Sequence, residues 1–170
     1  MRLGMFLLQN HIFWVIFCGM KTQNATVNDV ETIYSLISHY AQFDKMLFRS
    51  KAYIFDNLQM FSVAEIDGKV VGCCALQVIW ADLAEIKSLA VADEYQNKGI
   101  GKALVEKAVE QAKNLGVKKV FALTLEPAFF EKHGFAIVNK KTLPMKVWSD
   151  CAKCTKQDNC DETAVEKTLV

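Results

Sequence analysis

The stretch LAVADEYQNKGIGKAL, residues 89–104, decides what kind of fold this chain adopts. Its apolar start, Leu89 to Val91, is typical of the end of a strand, and a polar turn with Gly99 and Gly101 follows where a helix begins. The first turn of a helix exposes unpaired N–H groups and carries a partial positive charge. Glycine lets the backbone approach an anion without interference from a Cβ atom. The stretch therefore predicts a loop whose main chain binds phosphate groups.

Two common phosphate-binding motifs do not fit this loop. A P-loop has the pattern G-x-x-x-x-G-K-[ST], but Gln96 stands at its first glycine and Ala103 at its hydroxyl residue. A dinucleotide-binding loop requires a third glycine where Leu104 stands. The pattern that remains is Gln-x-x-Gly-x-Gly, between a strand and a helix.

Outward from the loop, the hydropathy pattern predicts a single domain with a mixed α/β sheet. Apolar residues at helical spacing after Thr26, a candidate N-cap with Asp29 in the first turn, predict a helix. Asp67-Gly68 is typical of a hairpin turn. We expect further helices over 51–59, 99–115 and 127–133, and strands over 61–66, 70–80, 85–91, 119–124, 135–139 and 162–170.

The helix predicted over 99–115 is amphipathic. Lys102 and Glu106 form an i, i+4 ion pair on its polar face, and Gly116 is a suitable C-terminal stop. We expect its apolar face to be formed by Ile100, Leu104, Ala108, Ala112 and Leu115.

Composition limits the classes of protein that fit. The chain has 170 residues, 20 Lys and Arg against 19 Asp and Glu, and a hydrophobic content of 52%. The net charge is only +1, so the chain lacks the excess of basic residues typical of a nucleic-acid binder. The hydrophobic content of 52% excludes a disordered chain. Six cysteines are too few for a disulfide-dense scaffold. We expect a cytoplasmic protein that acts on a small molecule, with no nucleic-acid or membrane partner, and a homodimer is compatible with this.

Residues 1–19 are the most apolar stretch, and three interpretations compete. A membrane span is interrupted by Gln9 and Asn10, and Ile12–Cys18 is a poor apolar core for a secretory signal. We favour the third interpretation, an appended or misassigned start, since Met20 opens an ordinary cytosolic N-terminus. The domain is then expected over 20–148, with the cysteine-containing segment 149–170 packed on it.

The loop resembles the acetyl-CoA pyrophosphate loop of the GCN5-related N-acetyltransferases (GNAT). The element order agrees, and residues 130–135, FEKHGF, resemble the aromatic-x-x-x-Gly-Phe signature of that family. A narrower resemblance is to the short, single-domain glutamate N-acetyltransferases that make N-acetylglutamate for arginine synthesis. It rests on residues 46–50, 84–91, 120–124, 129–135 and 143–148, and on the tail from Asp150 to Glu162.

This resemblance implies a GNAT fold and acetyl transfer from acetyl-CoA to the α-amino group of an amino acid, with L-glutamate the expected acceptor. Glu85 is then the candidate general base. The backbones of Leu89 and Val91 are expected to pair with the pantetheine arm, and an N–H near Leu89 to stabilise the oxyanion. The full set expected to bind the cofactor is Leu89, Ala90, Val91, Gln96, Asn97, Lys98, Gly99, Ile100, Gly101 and Lys102.

The resemblance also assigns the acceptor site. Arg49 is the candidate clamp for a substrate carboxylate, because a guanidinium binds a carboxylate through two hydrogen bonds. Lys87 and Lys146 are further carboxylate partners, and Thr124 is a candidate hydrogen-bond donor. The plain alternatives are a surface charge for Arg49, a solvent-facing strand residue or an ion-pair partner of Lys87 for Glu85, and a strand-end hydroxyl for Thr124.

One residue departs from the family pattern. Many acetyltransferases have a Tyr where Phe130 stands, and that Tyr is a proposed general acid for the departing thiolate. Phe130 has no proton to give, so the thiolate leaves unaided or another group protonates it. Tyr40, Tyr95 and His133 have no motif that supports them in this role.

Cysteines in the tail raise the question of a metal. Cys151, Cys154 and Cys160 have plausible spacing, but structural zinc requires a fourth ligand. Cys73, Cys74 or His133 would have to supply it, and Cys73 and Cys74 are expected to be buried strand residues. We therefore expect no metal.

Two other functions remain open. A protein of the same fold could acetylate a polyamine, an antibiotic or a protein N-terminus. The replacement at Phe130 also leaves open a CoA-binding regulatory module without turnover.

Overall fold

The computed structural model describes residues 19–144 and 159–169, which form four helices and seven strands together with short 3-10 turns. The helices are α1 (Val30–Ala41), α2 (Lys51–Asp56), α3 (Ile100–Asn114) and α4 (Pro127–Glu131). The strands are β1 (Met20–Asn24), β2 (Phe61–Ile66), β3 (Lys69–Trp80), β4 (Leu83–Val91), β5 (Lys119–Thr124), β6 (Ala136–Val138) and β7 (Thr163–Thr168).

All seven strands belong to one sheet, in the order β1-β2-β3-β4-β5-β7-β6. Neighbours are antiparallel except β4 and β5, which are parallel because α3 connects them. This arrangement confirms the expected mixed α/β sheet. Strand β7 pairs with both β5 and β6, so the segment 163–168 is an integral part of the sheet.

Local sequence signals account for much of this architecture. Asp67 and Gly68 have φ angles of 50° and 79°, which the predicted hairpin turn between β2 and β3 requires. The Ser50 side chain caps α2 by accepting a hydrogen bond from the Tyr53 N–H at 3.1 Å. At the start of the first helical segment, the Asp29 carboxylate accepts from the Thr26 N–H at 2.7 Å.

Helix α3 buries most of its predicted apolar face. Ile100, Leu104, Ala108 and Ala112 are buried, and Lys102 lies 3.7 Å from Glu106 on the polar face. Leu115 was expected on the apolar face but is 64% exposed. Leu115 is the C-cap and still donates its N–H to the Gln111 carbonyl at 3.0 Å, so it keeps the helical spacing but stands at the exposed end of the helix, where Gly116 with a φ of 76° turns the chain away.

The sheet carries a core on each face. On one face α3 packs on alternate side chains of the central strands, including Val71, Cys74 and Ile86. On the other face α1 and α2 pack on Cys73 and Ala75. The six buried residues Val71–Leu76 confirm that β3 is covered on both sides, as its apolar run predicts.

Strand β1 is a feature that the sequence interpretation missed. Met20–Asn24 pairs along its whole length with β2, from Met20 opposite Ile66 to Asn24 opposite Ser62. Its sequence, MKTQN, has little β propensity, and pairing with β2 outweighs that preference.

Within residues 19–144 and 159–169, no helix is long and apolar enough to cross a membrane. In the same ranges, no three His, Cys, Asp or Glu side chains come together as metal ligands. Cys151, Cys154 and nearly all of the 1–19 segment lie outside the described residues. Cys160 is exposed, and its Sγ accepts a hydrogen bond from Lys140 Nζ at 3.3 Å.

Candidate active site

A gap opens in the sheet between β4 and β5. Within the described residues their pairing is limited to Leu83–Lys119, Ala84–Val120 and Glu85–Phe121. Beyond Glu85, β4 continues to pair with β3 as far as Val91, while β5 continues with β7 to Thr124. The two strands therefore separate towards their carboxyl ends, which leaves the β5-facing edge of β4 open over Ile86–Val91. An open strand edge can accept an extended ligand by backbone pairing.

The wall of this gap is interrupted by a β-bulge. Register shifts between the pairs Cys73–Ala90 and Ala75–Lys87, so that three steps on β4 match two on β3. Ser88 lies in the bulge with a φ of 52°, a conformation that is rare for a residue other than glycine. The bulge turns the backbone next to Leu89 out of the regular ladder. A backbone N–H turned in this way can point at a reacting carbonyl oxygen.

The predicted phosphate loop lies at the mouth of the gap. Gly99 precedes α3 in the left-handed conformation with a φ of 80°, and Asn97 has a φ of 58°. The first hydrogen bond of α3 runs from the Ala103 N–H to the Gly99 carbonyl at 3.0 Å, so the N–H groups of residues 99–102 precede the helical ladder. Four consecutive donors at a helix N-terminus are suited to the charged oxygens of a diphosphate.

Side chains of the loop hold its shape. Gln96 Nε2 donates to the Tyr40 hydroxyl at 2.7 Å and to Asp93 Oδ1 at 3.1 Å. Lys98 Nζ donates back to the Glu94 carbonyl at 2.7 Å. The cradle is therefore made by the main chain, while Gln96 and Lys98 fix the backbone that forms it.

Glu85 and Lys87 lie on the face of the sheet that α1 and α2 cover. They stand opposite Gln77 and Ala75 of β3, and Ala75 belongs to the core under α1 and α2. Glu85 is 8% exposed, which rules out a solvent-facing position, and Lys87 Nζ lies 3.6 Å from its carboxylate. The ion pair with Lys87, named as a plain alternative for Glu85, is therefore present. An ion pair offsets part of the cost of burying both charges.

Arg49 lies on the same side of the sheet, directly before the N-cap of α2. It is 8% exposed, and its guanidinium carbon is 4.5 Å from the centre of the Tyr53 ring. Arg49 is therefore not the surface charge of the plain alternative. Arg49, Ser62 and Glu85 are the polar or charged residues buried in the described part of the chain.

Thr124, Lys146 and Phe130 are placed differently. Thr124 ends β5 on the α3 side, because it alternates with Ala122 of that core, and its Oγ1 accepts from the Glu126 N–H at 2.9 Å. Thr124 is thus on the opposite face from Glu85, and its hydroxyl oxygen stabilises a turn. Lys146 lies outside the described residues. Phe130 is buried against Phe129 and Phe135, in edge-to-face contacts.

Tyr40, Asp93 and His39 form a polar cluster at the loop, and sequence reasoning gave none of them a supported role. The Tyr40 hydroxyl lies 3.0 Å from Asp93 Oδ1 and donates to the Val91 carbonyl, and His39 Nε2 lies 2.9 Å from Asp93 Oδ2. Burial raises the pKa of Tyr40 above its usual value. The hydrogen bond from Tyr40, followed by that from His39, lowers the pKa of Asp93. No local motif joins positions more than 50 residues apart, so the sequence held no signal for this cluster.

Comparison with known proteins agrees with this geometry. The family model described as "Acetyltransferase (GNAT) family" matches residues 27–135. An uncharacterized N-acetyltransferase of Chlorobaculum tepidum is 44% identical over 147 residues, which cover 86% of this chain and 95% of that protein. An amino-acid acetyltransferase of Mycobacterium tuberculosis is 34% identical over 139 residues, which cover 80% of this chain and 79% of that protein.

A solved structure has the same arrangement of strands and helices. N-acetylglutamate synthase from Neisseria gonorrhoeae, complexed with coenzyme A and N-acetyl-glutamate, superposes with a TM-score of 0.81 at 27% identity. The match covers 89% of this chain and 35% of the synthase, so the chain spans about a third of that protein.

Proposed function

The chain belongs to the acetyltransferase (GNAT) family, and from that premise we propose that it transfers the acetyl group of acetyl-CoA to the α-amino group of L-glutamate. Family membership and the amino-acid acetyltransferase relatives make the chain an acetyl-CoA-dependent N-acetyltransferase. The choice of an amino acid, and of glutamate among amino acids, is the proposal.

The observation that carries the choice of acceptor is the low exposure of two cationic side chains on one side of the sheet. Arg49 is 8% exposed, and the Lys87 side chain is 11% exposed with its Nζ 3.6 Å from the Glu85 carboxylate, at the point where β4 and β5 separate. An amino acid with a carboxylate side chain carries two negative groups and one amine. Two cations suit its carboxylates, and one carboxylate suits its ammonium group. The relatives named for amino-acid acetylation and N-acetylglutamate synthesis support the same class of acceptor.

The chemistry follows from the positions of these groups. Acetyl-CoA supplies an acyl thioester, and the N–H groups of residues 99–102 would bind its diphosphate while the open edge of β4 pairs with its pantetheine arm. Glu85 takes a proton from the substrate ammonium group, which frees the amine lone pair. The new C–N bond then forms at the carbonyl carbon. A backbone N–H at the bulge near Leu89 stabilises the oxyanion. The nitrogen releases its second proton to solvent as the C–S bond breaks and CoA leaves as its thiolate.

The leaving thiolate receives no proton from Phe130, which is a buried hydrocarbon ring. A thiol has an ordinary pKa of about 8.5, so its thiolate is a moderate leaving group that departs without an acid. The mechanism therefore assigns no residue to general-acid catalysis.

The division of the chain and its cellular role complete the proposal. We propose that residues 20–148 and the β7 segment, which lies inside the same sheet, form one acetyltransferase domain, with residues 1–19 outside it. Acetylation of glutamate would supply the first step of arginine synthesis in the cytoplasm. A homodimer stays a prediction.

An acceptor screen tests the proposed function. The full chain is incubated with acetyl-CoA and one amine at a time: L-glutamate, L-glutamine, L-aspartate, spermidine, an aminoglycoside and a short peptide. Released CoA is measured by chromatography, since a thiol reagent would also react with the exposed Cys160. We expect release with L-glutamate, and N-acetylglutamate in the mass spectrum.

Other results of this screen would support one of the two alternative functions, acetylation of another amine or CoA binding without turnover. Release with spermidine, the aminoglycoside or the peptide and not with amino acids would replace the proposal by acetylation of another amine. Tight CoA binding without release in any reaction would indicate a regulatory module, and would contradict the proposed activity.

A further inference from the structure

The hydroxyl of Tyr40 forms hydrogen bonds with groups from three other parts of the chain. Tyr40 lies in the last turn of α1, and its partners are the Val91 carbonyl at the end of β4, Asp93 in the following 3-10 turn, and Gln96 in the phosphate loop. These contacts bridge more than 50 positions of sequence. They tie the helix that covers the acceptor side of the sheet to the loop at the mouth of the gap.

The hydrogen bonds of this cluster are mutually consistent. The Gln96 amide has two protons, and it gives one to the Tyr40 oxygen at 2.7 Å and the other to Asp93 Oδ1 at 3.1 Å. The single Tyr40 proton has two acceptors within reach, the Val91 carbonyl and Asp93 Oδ1 at 3.0 Å. The second oxygen of Asp93 faces His39 Nε2 at 2.9 Å. Each donor therefore has an acceptor, so the cluster specifies one conformation of the loop.

We infer that Tyr40 is a positioning residue for acetyl-CoA binding, which acts through Gln96 and Val91 to hold residues 99–102 in the conformation that presents their N–H groups. This inference rests on the proposed function, because it assumes that the loop binds the diphosphate of acetyl-CoA. The glycines at 99 and 101 make the loop intrinsically free to move. A loop that is fixed before binding loses less conformational entropy when the ligand arrives, and it binds more tightly for that reason.

Removing one hydroxyl tests the inference. In Tyr40→Phe, Gln96 loses an acceptor and Val91 loses a donor, while the ring keeps its packing. We expect the Kd for CoA and the KM for acetyl-CoA to rise about tenfold, with kcat and the acceptor KM within about twofold of the parent. The matched control is Tyr34→Phe on the same helix, whose ring contacts Phe48 and Lys51 and keeps those contacts without its hydroxyl. The control should bind CoA like the parent.

A second variant removes the hydrogen bond between Gln96 and Tyr40 by changing the residue in the loop. Gln96→Met removes both amide protons at similar length on an exposed residue, so it tests the contact without disturbing α1. We expect the same selective rise in the acetyl-CoA KM. The two changes share the Gln96–Tyr40 hydrogen bond, while each also removes one of its own, Tyr40–Val91 or Gln96–Asp93. The effects in the double variant should therefore be less than additive.

The outcomes separate this inference from the proposed function. A parent protein that does not bind CoA contradicts the proposed function itself. A parent that binds CoA and turns over, with both single variants within twofold of its Kd for CoA, overturns the role of Tyr40 alone. A rise confined to the acceptor KM, or fully additive effects in the double variant, overturns it too.

Discussion

At the scale of single residues, the two buried charged side chains, Arg49 and Glu85, are expensive to maintain. Moving a charge out of water costs several kcal/mol, and pairing repays only part of that cost. Each is nevertheless 8% exposed, and Glu85 lies where β4 and β5 separate. Buried charges at a cleft are typical of groups selected for binding or proton transfer rather than for stability. The following two predictions test each charge separately.

Arg49 is expected to bind a carboxylate of the acceptor. Arg49→Ala should raise the glutamate KM by about 10- to 100-fold, since a hydrogen bond to a charged group contributes about 1.5–3 kcal/mol. Arg49→Lys keeps the charge but loses the two parallel hydrogen bonds of a guanidinium, so its glutamate KM should lie between those of the parent and Arg49→Ala. Steady-state kinetics measures both, with the acetyl-CoA KM as the internal control. An unchanged glutamate KM in Arg49→Ala would remove this residue from the site.

Glu85 is expected to accept the proton of the amine. Glu85→Gln preserves the size of the side chain and removes its basicity, so kcat should fall by about 10²- to 10⁴-fold. The remaining rate should increase as the pH rises from 6 to 9, because a larger fraction of the amine is then already neutral. Kinetics across this range, with circular dichroism to establish folding, makes the measurement. A variant as fast as the parent throughout would eliminate Glu85 as the base.

At the scale of elements, the two glycines at the ends of α3 differ in what an added side chain would meet. A Cβ atom at Gly101 would lie at an ordinary van der Waals distance, 3.4 Å, from the ring of Phe129 in α4, so the protein itself has room for it. Gly116, just past the end of the same helix, has nothing within 4 Å of such an atom, but its φ of 76° is left-handed. Alanine at Gly101 therefore tests the approach of the ligand, and alanine at Gly116 tests the backbone conformation.

Alanine at each position should separate binding from stability. Gly101→Ala should raise the acetyl-CoA KM by about tenfold or more, while its stability changes little because alanine favours helix by about 1 kcal/mol. Gly116→Ala should lower the free energy of unfolding by about 1–2 kcal/mol through left-handed strain, with KM unchanged. Urea unfolding and kinetics on both variants provide the check. Equal KM values for acetyl-CoA in the two variants would contradict a cradle at Gly101.

These elements also show what a sequence reveals and what it conceals. The Asp67-Gly68 hairpin, helix α3 and the loop at 96–101 carry local signals, so they were predicted with nearly correct bounds. Strand β1 was missed because an edge strand held by β2 needs no β propensity of its own. The contacts of Tyr40 depend on tertiary folding. The roles of Glu85 and Arg49 stay predictions, although the structure buries both.

At the scale of the whole molecule, the double-sided core protects its central strand from solvent. Cys73 and Cys74 are adjacent on β3 and point into the cores on opposite faces of the sheet. Burial raises the pKa of Cys73 to about 12, and it also raises that of Cys74. Since the thiolate is the reactive form, both thiols should be inert in the folded protein at neutral pH.

Alkylation of these cysteines should report global unfolding. With iodoacetamide at pH 8, we expect the peptide containing Cys73 and Cys74 to stay unmodified in the native protein and to react fully in 6 M guanidinium, a denaturant concentration of the order that unfolds most domains. The exposed Cys160 should react under both conditions and acts as the positive control. Peptide mass spectrometry gives the modified fractions. Rapid native labelling of Cys73 or Cys74 would show that the core opens locally.

Strand β7 follows β6 along the chain but lies between β5 and β6 in the sheet. During synthesis on the ribosome, β5 and β6 emerge first and have no shared neighbour until residues 163–168 follow them. Strands β1–β4 can pack on their helices as soon as they emerge. Strand β5, on the far side of the gap, lacks its partner β7 until residues 163–168 are made. A nascent chain halted before Thr163 would therefore carry an exposed apolar edge, and release of the last strand, rather than formation of the loop, would complete the cleft.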